Sequence, residues 1–325
     1  MANRPYLCII SPALADANNG NWQTAARWAR FLRGRYRVAI ARQWRPDGNG
    51  PAPDLLVALH ARRSADSLDA FRATYPDRPA VLLLTGTDLY RDIHHDPAAQ
   101  ASLRHATRLV LLQAAGLAEL PAELHGKACV IHQSAPALRP WSAPRRHADV
   151  VMVGHLRDEK DPATFMRAAA LVTAPRARLL HIGGALDPAL GELALATQAD
   201  VPRYRWLGAL PRATARQRLR RCHAMAICSR MEGGANVIIE AVTCGVPVLA
   251  SDVSGNRGML GGDYAGYFPL GDAPALARLI ERSIADPAFH ALLRRQCATR
   301  APLFAPATEQ AALLELVDNL LIHRT

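Results

Sequence analysis

An α/β architecture of two parallel-sheet domains is what three features of the 325-residue sequence predict. Short apolar, β-rich runs alternate with stretches of helical periodicity, the pattern that builds parallel sheets. The alternation stops at a proline-spaced segment and then begins again. Late in the second series a glycine-rich loop runs into an apolar helix start between two glutamates, Glu232 and Glu240.

In the first series the strands are expected at 6–11, 37–41, 54–60, 80–85, 108–112 and 128–132, with amphipathic stretches at 21–33 and 64–74. Residues 134–147 carry Pro136, Pro140 and Pro144, a spacing that suits an extended connection and predicts a domain boundary near 135–148. Strands are then expected at 149–154, 178–182, 204–207, 224–228, 247–250 and 266–268. Helices are expected at 162–172, 273–285 and 287–300, with Pro302 and Pro306 interrupting before a last helix at 308–322. The economical reading is two Rossmann-like domains facing across a cleft, with ligands at the carboxyl ends of the strands.

Composition bounds the function. Half the residues are apolar and 21% are charged, as in a well-cored globular protein. The net charge of +11 comes from arginines spread along the chain, with no basic run interleaved with aromatics, so nucleic acid is not an expected partner. The six cysteines are scattered without a Cys-x-x-Cys pair, which fits reduced thiols in a cytoplasmic protein. No secretory leader and no apolar span is visible, so membrane insertion is not expected. Lysine occurs only as Lys127 and Lys160; Lys127 begins a strand and reads as a surface residue.

The segment Glu232-Gly-Gly-Ala-Asn-Val-Ile-Ile-Glu240 carries the most chemistry. Gly233 and Gly234 remove side chains where a ligand approaches the backbone. A helix starting near Ala235 would turn free N–H groups and a positive dipole end toward a phosphate. Carboxylates that hold hydroxyls, beside a loop that holds phosphate, suggest a nucleotide-sugar site.

Four further segments accompany this one in order: Val153-Gly-His-Leu-Arg-Asp-Glu-Lys-Asp161, Leu180-His-Ile-Gly-Gly184, Trp206-Leu-Gly208 and Cys244-Gly-Val-Pro-Val-Leu-Ala-Ser-Asp252. Together the five resemble the motifs of the GT-B glycosyltransferases, specifically family 4. The resemblance implies a 1–138 acceptor domain, a 139–305 nucleotide-sugar donor domain, and a 306–325 helix packing back on the first domain. It further implies that Lys160 neutralises the donor diphosphate and that Gly233, Gly234, Ala235, Asn236 and Val237 present the loop and helix start to it. Glu232 would face the sugar hydroxyls and Glu240 the ribose. Gly154, Arg157, Gly183 and Gly184 would line the donor, and Leu207 and Leu210 would hold the base of UDP. No cofactor and no metal are expected. One departure stands out: the family's arginine is His155 here, leaving His155 or Arg157 to act in its place.

The first half carries Gly20-Asn-Trp-Gln-Thr-Ala-Ala-Arg-Trp28, Thr85-Gly-Thr-Asp-Leu-Tyr90 and His132-Gln-Ser134. These resemble the selenosugar synthases of selenoneine biosynthesis, which join the sugar of a UDP-sugar to selenium supplied by selenophosphate. The resemblance implies acceptor contacts from Asn19, Gly20, Asn21, Thr24, Arg27, His60, Thr85, Thr87, Asp88 and Ser134. The residues themselves leave alternatives open: a helix start at 18–24 can be an ordinary capped terminus, His60 a structural strand end, and Asp88 a helix cap. Adjacent His94 and His95 do not share a helical face and lack a third ligand, so they predict no metal. A homodimer is compatible with the resemblance. Competing functions are a conventional UDP-sugar glycosyltransferase with a sugar or lipid acceptor, a UDP-sugar epimerase of the same architecture, and a non-catalytic nucleotide-sugar binder.

Overall fold

The computed structural model describes residues 4–14, 20–48, 50–141 and 146–322. It divides into two compact units, one running to Ser134 and resuming at Pro306, the other comprising Ala135–Ala305. Residues 135–138 belong to the second unit because their backbone is tied there: Ala135 donates to Phe304 and Leu138 to Thr243.

The first unit contains β1 (Tyr6–Ile10), β2 (Arg37–Ala41), β3 (Leu55–Leu59), β4 (Ala80–Leu83), β5 (Arg108–Leu111) and β6 (Ala128–Val130). Its helices are α1 (Gly20–Leu32), α2 (Ala65–Thr74), the single turn α3 (Ile93–His95) and α4 (Pro97–His105). The sheet is parallel, in the order β2-β1-β3-β4-β5-β6. Alternation along β1 shows why it is covered on both faces. Leu7 and Ile9 pack with Trp28 and Leu32 of α1. Cys8 and Ile10 pack with Phe71 of α2 and Leu103 of α4. A strand buried on both faces must be apolar at every position, and Leu55–Leu59 reads Leu-Leu-Val-Ala-Leu, all buried.

The second unit repeats the plan with β7 (Ala148–Val153), β8 (Ala177–Ile182), β9 (Tyr204–Trp206), β10 (Ala224–Ile227), β11 (Val248–Ser251) and β12 (Tyr267–Phe268). Its parallel order is β12-β11-β10-β7-β8-β9. The helices are α5 (Pro162–Leu171), α6 (Pro188–Asp200), α7 (Arg212–Arg221), α8 (Asn236–Val242), α9 (Ser254–Leu260), α10 (Ala273–Ala285) and α11 (Pro287–Arg300). The six strands expected in each half are the six found, within a residue or two at their ends.

Helix starts share one local device. Asp96, Asp161, Asp187 and Asp286 each precede a proline at the first helical position, and each carboxylate accepts from a backbone N–H of the first turn. Proline is pre-set for that turn and lacks the N–H that would go unpaired there, while the aspartate satisfies one that remains. At the other end of α4, Lys127 donates to the carbonyls of Arg104 and Ala106, at 3.1 and 2.9 Å. Among the helices the sequence reading did not name, two have a visible reason: α6 buries only Gly191 and Ala194, and α7 only Ala215 and Leu219.

The last helix, α12 (Pro306–Ile322), belongs to the first unit. Its Leu313 and Val317 join the cluster formed by α1 and β1. Among the described residues, no helix is long and apolar enough to cross a membrane.

Candidate functional site

In the second unit the residues singled out from sequence gather at the carboxyl ends of β7, β8 and β10. After β7 the chain forms a short 3-10 turn, Asp158–Lys160, that swings Lys160 toward the loop after β10. Lys160 Nζ donates to Glu232 Oε1 at 2.5 Å, and Ser229 Oγ donates to the same oxygen at 2.6 Å. Glu232 is buried. Its second oxygen is the one left for another partner. Glu240, one turn into α8 and equally buried, accepts from Arg212 Nε at 2.8 Å. Each buried carboxylate is thus matched to one cation, as the cost of burying an unpaired charge requires.

The expected helix start is found one residue on: Ala235 is the cap of α8 and Asn236 its first residue. The positive-φ glycines of the described residues are Gly183, Gly208, Gly245, Gly261 and Gly271, so Gly233 and Gly234 do not serve a left-handed turn. A Cβ on Gly255, at the start of α9, would meet the Glu232 carbonyl oxygen at 1.8 Å. Gly255→Ala therefore displaces the Glu232 loop or α9, and we expect a destabilisation of about 1–3 kcal/mol in thermal unfolding. A melting point equal to that of the parent would refute this packing account.

His155 and Arg157 differ in how they are held. His155 is exposed and its Nδ1 accepts from Gly184 N–H at 3.1 Å. Arg157 Nε lies 3.9 Å from Glu159 Oε2 and makes no hydrogen bond. Leu207, Leu210 and Val237 pack against the core of the unit at its margin. Trp206 Nε1 donates to the Gly183 carbonyl at 2.8 Å.

In the first unit several of the residues singled out from sequence hold internal partners. Asn19 lies outside the described residues. Gly20 begins α1, and the Thr24 hydroxyl bonds back to its carbonyl at 2.8 Å while receiving the Gln133 side chain. Arg27 is not a free cation for an anionic acceptor: its Nε donates to Glu309 Oε2 at 2.7 Å, and the residue is 7% exposed. Ser134 is likewise committed, its hydroxyl donating to the same Glu309 oxygen at 2.5 Å. Trp28 Nε1 donates to the other oxygen at 2.8 Å. The buried Glu309 carboxylate on α12 accepts from all three, while Arg27 Nη2 is left without a hydrogen-bond partner.

A second buried network joins the ends of β3 and β4. His60, at φ 76°, sets its Nε2 3.1 Å from Thr87 Oγ1. Asp88 is fully buried and accepts from Ala61 N, Thr85 N and Thr85 Oγ1 at 2.8, 2.9 and 2.6 Å. Asp88 thus satisfies two backbone N–H groups and the Thr85 hydroxyl at the strand-end turns. Burial lowers the His60 imidazole below its ordinary value, against the opposing pull of Asp88. Its left-handed backbone is a strained conformation for a non-glycine residue, held by these bonds. His94 pairs with Glu119 at 3.3 Å, and no group of three or more ligating side chains that could hold a metal occurs among the described residues.

Sequence reasoning missed Arg212, Ser229 and Glu309. Arg212 and Glu309 matter through partners distant in the chain, a relation that no motif spacing records, while Ser229 acts through Glu232 three residues on.

Residues 138–303 match the model of the family described as glycosyl transferases group 1. Among solved structures, the chain is similar to sucrose-phosphate synthase from Thermosynechococcus elongatus, with a TM-score of 0.81 and 18% identity over 98% of this chain and 100% of that one. It is also similar to HepE from Anabaena in complex with UDP-glucose, with a TM-score of 0.77 and 17% identity over 97% and 99% of the two chains. A third similarity is to the lipopolysaccharide outer core galactosyltransferase WaaB, with a TM-score of 0.68 and 13% identity over 98% and 100%. At such identities the likeness is one of fold.

Proposed function

Because the chain belongs to the group 1 glycosyl transferases, we propose that it transfers the sugar of UDP-N-acetylglucosamine or UDP-glucose to the selenium of selenophosphate, releasing UDP. The observation that carries the donor half is the pair of buried, cation-matched carboxylates: Glu232 with Lys160, and Glu240 with Arg212. A nucleotide sugar presents a diphosphate for the lysine and hydroxyls for the two glutamates. HepE, similar in fold, binds UDP and UDP-glucose, which supports the choice of nucleotide.

In the reaction a lone pair on the selenium anion attacks the anomeric carbon, a carbon–selenium bond forms, and the carbon–oxygen bond to UDP breaks with its electrons leaving on the diphosphate. Selenium is already an anionic nucleophile, so no strong general base is required. Charge builds on the departing diphosphate, where Lys160 and the N–H groups of the glycine loop offset it. Glu232 Oε2 accepts from a sugar hydroxyl and Glu240 from the ribose. The acceptor reading rests on the resemblance of the first half. It takes Asn19, Gly20, Asn21, Thr24, Arg27, His60, Thr85, Thr87, Asp88 and Ser134 as the acceptor set, of which Arg27, Thr85, Asp88 and Ser134 also hold internal hydrogen bonds.

The test is incubation with each UDP-sugar, with and without selenophosphate, followed by mass spectrometry. Selenophosphate-dependent UDP release together with a selenium-containing sugar is the expected result. UDP release that ignores selenophosphate but responds to a sugar or lipid acceptor would return the chain to conventional glycosyl transfer. Conversion of the UDP-sugar to its epimer without UDP release would make it an isomerase.

A further inference from the structure

Two glycine turns of the second unit, Gly154–His155 after β7 and Gly183–Gly184 after β8, are locked edge to edge. Gly154 N–H donates to Ile182, Leu156 N–H to Gly184, and Gly183 N–H to Gly208, at 2.8, 3.0 and 2.8 Å. The approach is so close that a Cβ on Gly183 would lie 1.9 Å from the Gly154 carbonyl oxygen. Gly154 in turn lies beside the Lys160 stem, a Cβ there falling 3.7 Å from its Cγ and Cδ.

A buried polar chain runs beneath these turns. Tyr204 and Trp206, two apart on β9, point to the same face of the strand. Tyr204 Oη lies 3.0 Å from His181 Nδ1, and His181 Nε2 lies 3.2 Å from the Gly154 carbonyl oxygen. A carbonyl only accepts, so His181 Nε2 carries the proton, its Nδ1 accepts, and the tyrosine hydroxyl donates. His181 and Tyr204 are both fully buried. Burial holds the His181 imidazole down to about 4, so it stays neutral at ordinary pH, although its bond to Gly154 pulls the other way. Trp206 fixes the neighbouring turn through the Gly183 carbonyl.

This arrangement dictates the state of His155. Gly184 N–H donates to His155 Nδ1, so that nitrogen bears no proton and the proton of the ring sits on Nε2. Among the described residues Nε2 has no partner, and the side chain is exposed.

We infer that Tyr204 and His181 are positioning residues that hold the Gly154–His155 turn so that His155 presents Nε2–H, as a neutral hydrogen-bond donor, to the diphosphate of the nucleotide sugar. The inference rests on the UDP-sugar reading and resolves how a histidine serves where the resembled family has an arginine. It donates a hydrogen bond without adding a second positive charge beside Lys160. Arg157 is not needed in that role.

The experiment is long-range proton–nitrogen NMR on the 15N-histidine-labelled full chain, with UDP affinity by calorimetry and steady-state kinetics. Both His155 and His181 should show the Nε2–H tautomer near neutral pH. Tyr204→Phe and His181→Phe keep the rings and lose the polar chain; each should weaken UDP binding about tenfold and give His155 a mixed tautomer signature. His155→Phe should lower kcat/KM about 10–100-fold, and His155→Gln, whose amide offers an N–H at a similar reach, should recover part of that loss. A His155 found as Nδ1–H or as imidazolium overturns the assignment. Unchanged UDP affinity and an unchanged His155 signal in Tyr204→Phe overturn the positioning role alone. Should the parent chain bind no UDP, the UDP-sugar reading falls, and the diphosphate role of His155 with it, whatever the tautomer.

Discussion

Lys160→Met is expected to lower the rate of UDP release by about 10²–10³-fold, the loss typical when a donor to developing transition-state charge is removed. Methionine keeps most of the apolar stem that lies beside Gly154, so the change isolates the ammonium. Glu232 loses its cation but retains the Ser229 hydroxyl, which limits the structural penalty. The defect should fall on kcat, because the charge on the departing diphosphate is greatest in the transition state. Glu240→Ala should act differently. On the proposed reading it removes a ground-state contact to the ribose and raises KM for the UDP-sugar, and it breaks the ion pair with Arg212. Near-normal turnover in Lys160→Met, with a normal melting curve, would remove Lys160 from the mechanism.

Glu309→Ala is expected to destabilise the first unit by roughly 3–5 kcal/mol, the range for breaking a buried ion pair from one side. The carboxylate receives Arg27 Nε, Trp28 Nε1 and Ser134 Oγ, and all four residues are buried. Truncation strands a guanidinium and two neutral donors in a water-poor interior. The helix α12 should then loosen, exposing Leu313 and Val317, and its amides should exchange with solvent faster than those of β3 and β4. Replacing both partners, Arg27→Met with Glu309→Leu, should restore much of the loss, since no charge is left unpaired. Both variants can be followed by denaturant unfolding and hydrogen exchange. A loss below about 1 kcal/mol in Glu309→Ala would mean that the pair is solvated and the clasp is not structural.

Most of the fold was legible in the sequence because parallel strands buried on both faces announce themselves as unbroken apolar runs. Leu55–Leu59 and Val248–Ser251 are found where the runs lie. The helices α10 and α11 could be bounded by their Asp and Pro signals. α7 could not, since an arginine-rich helix that buries two residues has almost no apolar period to read. The placing of the loops that carry Lys160 and Glu232 was legible for a similar reason: they are short, contiguous segments, each at the end of a strand. The acceptor half was legible only in part. A polar residue looks the same in a sequence whether it faces a ligand or a buried turn, and the internal partners of Arg27, Thr85, Asp88 and Ser134 come from the fold.

By itself, then, the sequence determined the two parallel sheets, the placing of the glycine loops at strand ends, and the presence of Lys160, Glu232 and Glu240 among them. Those depend on local pattern, on the period of apolar residues and on contiguous motif. The tertiary structure decided which charges meet. Arg27 finds Glu309 across 282 residues, Arg212 finds Glu240, and Tyr204 reaches Gly154 through His181. The reason is physical: pairing follows from burial, because a charge or polar group withdrawn from water must take whatever partner the fold brings within 3 Å or so. Distance along the chain has no part in that choice.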